Sequence, residues 1–489
     1  MQGLTTVILA AGEGKRMRSR QPKVLHELCG RPLIAYPLRL ARTLADRIVV
    51  VVGPNSEAVC AVAGDGVAIV EQRERLGTAH AVLQAREHCE SAAGPILVLP
   101  GDVPLLAVET LERLVNHHAA AGAAATVLTA IVERPHGYGR VLRQGGRVKR
   151  IVEDRDATDD EKRVTEINTS VYCFDGRRLW RALEQVEPDN DQGEYYLTDV
   201  IGLLARAGGR IEAVRVDDPE EALGVNDRKQ LAALAAIQRR RIVDRHMLAG
   251  VTIIDPATTY IDDTVTIGPD TVIYPNVVID VGSEIGSDCV VGAGCQIRAT
   301  RIGDRVRLKP YCVLTESTIE DGAVMGPFCH LRPKSHVGAD AEIGNFIELK
   351  KATVGRRSKA HHVGYLGDVT IGERANIGAG TIFVNYDGAA KHHTTVGDGA
   401  FVGSNTSIVA PLTIGAGAYI AAGSVITKDV PPDALAVERA PQVVKEGWAA
   451  RRRARRAAEG KAAEGKAADN ESAQGKAAES NAAETKKDS

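Results

Sequence analysis

Apolar positions in the first part of the chain follow two rhythms. Short unbroken runs at 5–10, 47–52, 95–99, 125–132 and 167–174 predict strands. Stretches such as 78–89 and 108–120 carry apolar residues at helical spacing. Strands alternating with amphipathic helices build a mostly parallel sheet covered by helices, and this α/β pattern spans residues 1–226. Residues 227–249 place Leu231, Leu234, Ile242, Met247 and Leu248 at roughly helical spacing, with Gly250 suited to a C-cap. They predict a single linking helix.

Over 250–436 the period changes to six. Ile267, Ile273, Ile279, Ile285, Val291 and Ile297 form one unbroken series. Ile319, Met325, Leu331, Val337, Ile343 and Leu349 form a second, and Val396, Val402, Ile408, Ile414, Ile420 and Ile426 a third. A six-residue period fits neither a helix nor a flat strand. It fits a β-solenoid in which each hexad is a short strand plus a corner and the lead aliphatic points inward. Glycine follows many leads (Gly268, Gly286, Gly292, Gly338, Gly344, Gly378, Gly403, Gly415), and we expect it to serve the corners, where backbone freedom is needed. Residues 437–489 form an arm and a tail. The tail lacks large apolar residues, so it is expected to be disordered, with Arg451, Arg452, Arg453, Arg455 and Arg456 solvated.

Composition narrows the class. The chain has 489 residues, room for two or three domains. Its 61 Lys and Arg balance 63 Asp and Glu, which argues against a nucleic-acid or membrane-surface binder. No apolar run is long enough to span a membrane, and no basic leader precedes the short apolar stretch near Met1. The eight cysteines form no C-x-x-C pair and are expected to be reduced thiols of a cytoplasmic protein.

Candidate chemistry begins after the first strand. Leu9, Ala10, Ala11, Gly12, Glu13, Gly14, Lys15, Arg16 and Met17 run through a small-residue loop, with Lys23 following. Small residues let backbone N–H groups approach phosphate, and the basic residues supply charge. It is not a Walker loop, because Gly-Lys-Ser/Thr is missing, nor a dinucleotide fingerprint, because Met17 holds the third glycine position. The strand at 95–99 leads into Gly101-Asp102, a carboxylate at the sheet edge where open α/β folds bind ligands. A carboxylate beside phosphates suggests Mg²⁺.

In the solenoid the rhythm breaks between Phe383 and Val396, so residues 384–393 are expected to protrude. A solenoid needs such loops or a neighbouring subunit to form a cleft, and trimers are the expected assembly by fold analogy. His361 and His362 are adjacent on a strand. They are therefore expected to point to opposite faces and not to share a metal.

The motif series resembles a known family. Residues 9–17 with Lys23, Gln72, Leu76-Gly77-Thr78, Gly101-Asp102, Gly137-Tyr138-Gly139-Arg140, Glu153, Glu166-Ile167-Asn168-Thr169 and Gly224-Val225-Asn226 look like the sugar-nucleotide pyrophosphorylase set, in order. Followed by hexads, the chain resembles the bacterial bifunctional N-acetylglucosamine-1-phosphate uridylyltransferase / glucosamine-1-phosphate acetyltransferase family over about residues 4–448. The resemblance implies a Rossmann-like nucleotidyltransferase domain (1–226), a linking helix (227–249), a left-handed parallel β-helix (250–436) and a homotrimer.

It also implies roles. Leu9, Ala10, Ala11 and Gly12 would line the uridine and phosphate site, and Gln72, Gly77 and Thr78 would read uracil. Arg16 and Lys23 would stabilise the triphosphate of UTP, and Asp102, beside Gly101, would hold Mg²⁺ with Asn226. Gly139, Glu153 and Asn168 would contact N-acetylglucosamine-1-phosphate. In the second domain His362 would be the general base toward glucosamine-1-phosphate, because imidazole as a class titrates near neutral pH. Arg332, Lys350, Tyr365 and Asn376 would hold that sugar phosphate, and Ala379, Asn385, Tyr386, Ser404, Ala422 and Arg439 the acetyl-CoA. Glu348 and Lys391 are weaker candidates. The sequence departs from the family pattern at Pro100, where some members carry a hydroxyl residue, and at His361, where the family has glycine. A single-activity nucleotidyltransferase with a structural solenoid is the alternative, and His362 with Arg332, Lys350 and the Asn385-Tyr386 loop is the feature that separates the two.

Overall fold

The structure is a computed structural model that describes residues 3–89 and 94–484. It falls into two units, Met1–Val437 and Glu438–Ser489. The first begins with a sheet of strands β1 (Thr5–Ala10), β2 (Arg47–Val52), β3 (Ala68–Glu71), β4 (Pro95–Pro100), β5 (Ala125–Ile131), β6 (Glu166–Asp175) and β7 (Ile211–Arg215). They lie in the order β7-β5-β6-β4-β1-β2-β3. Only β6 runs antiparallel to its neighbours along this path. Both faces are covered, which explains the continuous apolar runs: Ile8, Val50 and Leu97 pack on one side and Val7, Val49 and Val98 on the other. The chain leaves β1 toward β2 on one side, while β4 lies on the other. Their C-terminal ends therefore flank a crevice, the place where open α/β sheets take ligands.

Arg228–Leu248 is the linking helix, capped by Asp227 accepting from the Gln230 N–H. Beyond it, strands of two or three residues, and two of nine (Glu342–Lys350 and Lys359–Gly367), stack in parallel from coil to coil: Ile267 on Ile285, Ile273 on Val291, Ile279 on Ile297. Three such stacks close around one aliphatic core that contains every lead residue of the three hexad series. This is a left-handed parallel β-helix.

The glycines after the leads correct the expectation. Gly268, Gly286, Gly338 and Gly403 are not in the left-handed region. A Cβ on Gly286 would lie 2.7 Å from the Gly303 carbonyl carbon of the next coil, so these glycines allow close stacking. The left-handed corner falls later in the hexad, on residues such as Asp270, Asn276, Asp288, Tyr311 and Phe328.

Asp263 on the first coil joins the two parts of this unit. Its carboxylate is 1% exposed and meets Arg31 at 2.6 Å, Arg39 at 3.1 Å and Arg245 of the linking helix at 3.4 Å. A buried charge is tolerated because three guanidinium groups reach it.

In the second unit the tail expectation is corrected. Trp448–Glu484 is one helix. Its side chains described, through 478, are exposed, so no core holds it. Its Ala, Arg, Lys, Glu and Gln are strong helix formers over a length that offsets nucleation, which is how a coreless segment is helical. Arg455 pairs with Glu459 at 3.2 Å, one turn on. Among the described residues no helix is long and apolar enough to cross a membrane.

Candidate active sites

The crevice at β1 and β4 opens into a cleft of about 810 Å³. Leu9, Ala10, Ala11, Gly12, Arg16, Lys23, Gln72, Gly77, Thr78, Asp102, Glu153 and Asn226, all expected from the sequence, line it. The loop after β1 turns on Gly14, whose φ is +65°. A Cβ there would lie 2.7 Å from the Lys23 Cβ, so glycine both makes the turn and seats Lys23. The Lys23 ammonium lies against the Asp102 carboxylate and 3.5 Å from Asn226 Oδ1. Asp102 follows β4 and Asn226 precedes the linking helix, so the sheet and the helix together bring two oxygens to one cation.

Across the cleft Gln72 is buried and donates to the Gly77 carbonyl at 3.0 Å. Gly77 has φ +112° and packs on Tyr195, where a Cβ would lie 2.7 Å from the backbone nitrogen. Thr78 accepts from the Leu197 N–H at 2.9 Å. Glu153 accepts from the Thr198 hydroxyl at 3.2 Å. Burial pushes its carboxyl above the usual range, neighbouring Asp156, Asp199 and Asp154 push the same way, and the Thr198 bond opposes them. Gly101, Gly139 and Asn168 stand behind the lining. Gly101 donates its N–H to the Leu9 carbonyl, and Gly139 packs on Glu153 and Ile151. Asn168 donates to the Tyr172 hydroxyl at 2.7 Å, and that tyrosine is a wall of the cleft.

The second set gathers on one corner of the solenoid. Asn345 pairs with His362 in register, and the imidazole Nδ1 lies 3.1 Å from the Asn345 Oδ1. Backbone bonds continue this corner column through successive coils: Gly380 N–H to Val363 O (2.6 Å), Asn405 N–H to Ala379 O (2.7 Å) and Gly423 N–H to Ser404 O (2.8 Å). His362, Ala379, Ser404 and Ala422 thus follow one another along an edge. Asn376 sits on the strand entering this corner, paired with Lys359. Arg332, Lys350 and Tyr365 sit where the chain leaves it. Arg332 bonds Glu348 at 3.0 Å, and Lys350 lies beside Lys391, holding that lysine below its usual range.

The expected loop is there, closed by a bridge between Tyr386 and Lys391. Asn385 is buried at its base and donates to Asp368 at 2.5 Å and to the Tyr365 hydroxyl at 3.3 Å. Tyr386 is exposed at the start of the loop. Arg439 falls in the second unit. The twin histidines keep separate partners, His361 bonding Glu342 at 2.9 Å. Among the described residues no cluster of three or more His, Cys, Asp or Glu could hold a metal.

Three family models match the chain: the MobA-like NTP transferase domain over residues 6–204, the GMPPB C-terminal domain over 250–354, and the bacterial transferase hexapeptide (six repeats) over 393–428. The Bifunctional protein GlmU of Brevibacillus brevis is 48% identical over 451 residues, 92% of this chain and 98% of the relative. That of Geobacter sulfurreducens is 48% identical over 474 residues, 93% and 100%. The chain belongs to the bifunctional GlmU family. It carries that family's two activities, acetyl transfer to glucosamine-1-phosphate and uridylyl transfer to N-acetylglucosamine-1-phosphate.

Within this GlmU framework several cleft residues escaped the sequence reading. Arg75 donates to the Ala11 carbonyl at 3.0 Å, bracing the loop after β1. Arg155, Tyr172, Gln192 and Thr198 also line the cleft. An arginine two residues before Gly77 and another two after Glu153 were the available signals. Pro100 costs no ladder bond, because the Gly101 N–H makes it.

Proposed function

We propose that the two transfers run at these two places, with the residues in the roles that the family pattern gives them. One observation carries the reading: Lys23, Asp102 and Asn226, scattered in sequence, meet in the cleft, while His362, Ala379, Ser404 and Ala422 follow one edge of the solenoid.

In the cleft, Gln72, Gly77 and Thr78 read uracil while Leu9, Ala10, Ala11 and Gly12 cradle the UTP phosphates with backbone N–H groups. Gly12 has open space where a Cβ would stand, which leaves room for that approach. Glu153, with Gly139 and Asn168 behind it, orients the sugar. A phosphate oxygen of N-acetylglucosamine-1-phosphate attacks the α-phosphorus of UTP in line, and the bond to the pyrophosphate oxygen breaks. Arg16 and Lys23 offset the charge on the transferring and leaving groups. Asp102 and Asn226 fit Mg²⁺, since their oxygens already converge on a cation and this ion takes oxygen ligands beside phosphates and waters. Bound there, Mg²⁺ supplies further charge neutralisation.

On the solenoid, Arg332 and Lys350 hold the phosphate of glucosamine-1-phosphate. Two neighbouring ammonium groups, Lys350 and Lys391, are stabilised by a dianion. The Asn345 oxygen accepts the His362 Nδ1–H, which leaves Nε2 free to take a proton from the sugar amine. The amine attacks the acetyl carbonyl, the C–N bond forms, the C–S bond breaks, and CoA leaves as the thiol. Ala379, Ser404 and Ala422 line the acetyl-CoA edge, with Asn385 and Tyr386 as further contacts. His362 stands exposed on a corner, and by analogy with parallel solenoids a neighbouring copy in a homotrimer supplies the facing wall. Eight free thiols suit a reducing cytoplasm.

The test is incubation with glucosamine-1-phosphate, acetyl-CoA, UTP and Mg²⁺, following CoA release and nucleotide-sugar mass, with a separate arm supplying N-acetylglucosamine-1-phosphate, UTP and Mg²⁺ to read uridylyl transfer alone. His362→Ala abolishes CoA release and spares uridylyl transfer, and Asp102→Ala does the reverse. Uridylyl transfer that survives Asp102→Ala at ordinary Mg²⁺ overturns the metal assignment. CoA release that survives His362→Ala overturns the base.

A further inference from the structure

Beside the cleft lies an open cavity of about 510 Å³ that shares only Arg155 with its lining. Arg134, His136, Arg140, Arg155 and Lys162 line it, and Asp154 is its acidic residue. That carboxylate is occupied: Arg140 Nη2 reaches it at 2.9 Å and His136 Nδ1 at 3.7 Å. Arg140 is 2% exposed, donates through Nη1 to the Tyr138 carbonyl, and its Nε has no hydrogen-bond partner. Arg134, Arg155 and Lys162 are exposed and form no ion pair among the described residues.

The whole chain is nearly neutral, so this excess of cations is local. Unpaired like charges facing one cavity repel each other, and a multiply charged anion converts that repulsion into attraction. Guanidinium forks and an ammonium group match the tetrahedral oxygens of phosphate. We propose that the cavity binds a small phosphate-bearing anion at a site distinct from both transfer sites. Arg155 also lines the uridylyl cleft, so an occupant is felt there. The ligand is defined by its phosphate group, whether inorganic or carried by a nucleotide.

Lys162 lies outside the cleft lining and reports on this cavity alone. The full chain is acetylated under limiting conditions with an uncharged amine-reactive ester, and the Lys162 and Lys229 peptides are quantified by mass. Separate arms contain inorganic phosphate, pyrophosphate or UMP at millimolar concentration. Lys162 labelling falls about five-fold in at least one arm, as occupancy of a few times Kd requires, while Lys229 is unchanged. Protection by the inorganic arms assigns the bare phosphate group, and protection by UMP alone assigns a nucleotide. Arg134→Ala removes the protection and leaves uridylyl transfer intact. Equal Lys162 labelling in every arm, or protection that survives Arg134→Ala, overturns the proposal.

Discussion

Glu153 combines two demands that conflict. It lines the cleft where we propose the sugar binds, yet burial raises its proton affinity. The folded value exceeds the unfolded one, so the folded state loses stability as pH rises from the ordinary carboxylate range through that higher value. Glu153→Gln removes this penalty. The variant melts higher than wild type near neutral pH, and the gap shrinks in acid, as calorimetry across that range will record. Losing a charged hydrogen bond of about 1.5–3 kcal/mol raises its KM for the sugar phosphate roughly ten-fold or more. A melting temperature that falls at neutral pH would contradict the burial argument. Gly14→Ala imposes a left-handed alanine at about 1–2 kcal/mol and presses on Lys23. Uridylyl kcat drops about ten-fold and acetyl transfer is unchanged, measured on the same preparation. Equal loss of both activities would mean global damage instead.

At the scale of the element, the informative unit is the corner column. Sequence period six places an aliphatic inward at each lead, and the backbone then fixes where the residue two positions later stands. That is how His362, Ala379, Ser404 and Ala422 come to share one edge. Bulk on that edge fills the space we propose for acetyl-CoA. Ser404→Trp therefore raises KM for acetyl-CoA at least about ten-fold and leaves uridylyl transfer and melting temperature unchanged, since the site is exposed. Unaltered acetyl-CoA kinetics in this variant would remove the column from the acetyl site. The loop that interrupts the hexads was legible as a break in rhythm. Its buried anchor, Asn385 on Asp368 and Tyr365, was not, because hydrogen bonds between coils leave no periodic trace.

At the scale of the whole molecule, Asp263 holds the solenoid to the α/β part through Arg31 and Arg39 and to the linking helix through Arg245, side chains that are 31–51% exposed. Asp263→Ala leaves them unpaired and costs on the order of 2 kcal/mol, a buried pair discounted for solvent screening. One calorimetric transition then splits into two, whereas a single unshifted transition would refute the link. The sequence by itself determined the two architectures, since hydrophobic period alone distinguishes a covered sheet from a coil of hexads. It also marked most cleft residues, because they sit in short motifs at strand ends. Tertiary structure decided what motifs cannot encode. Lys23, Asp102 and Asn226 are far apart along the chain, and only sheet order and helix placement bring them together. Glycine after a lead looked like a corner residue, and only the neighbouring coil reveals that the constraint is close approach. The tail's composition predicted no core, which it lacks, but backbone propensity makes it helical without one. Side-chain period is a local property that the sequence records. Contacts between distant segments, such as Asp263 with Arg31 and the basic cavity beside the cleft, arise only once the chain is packed.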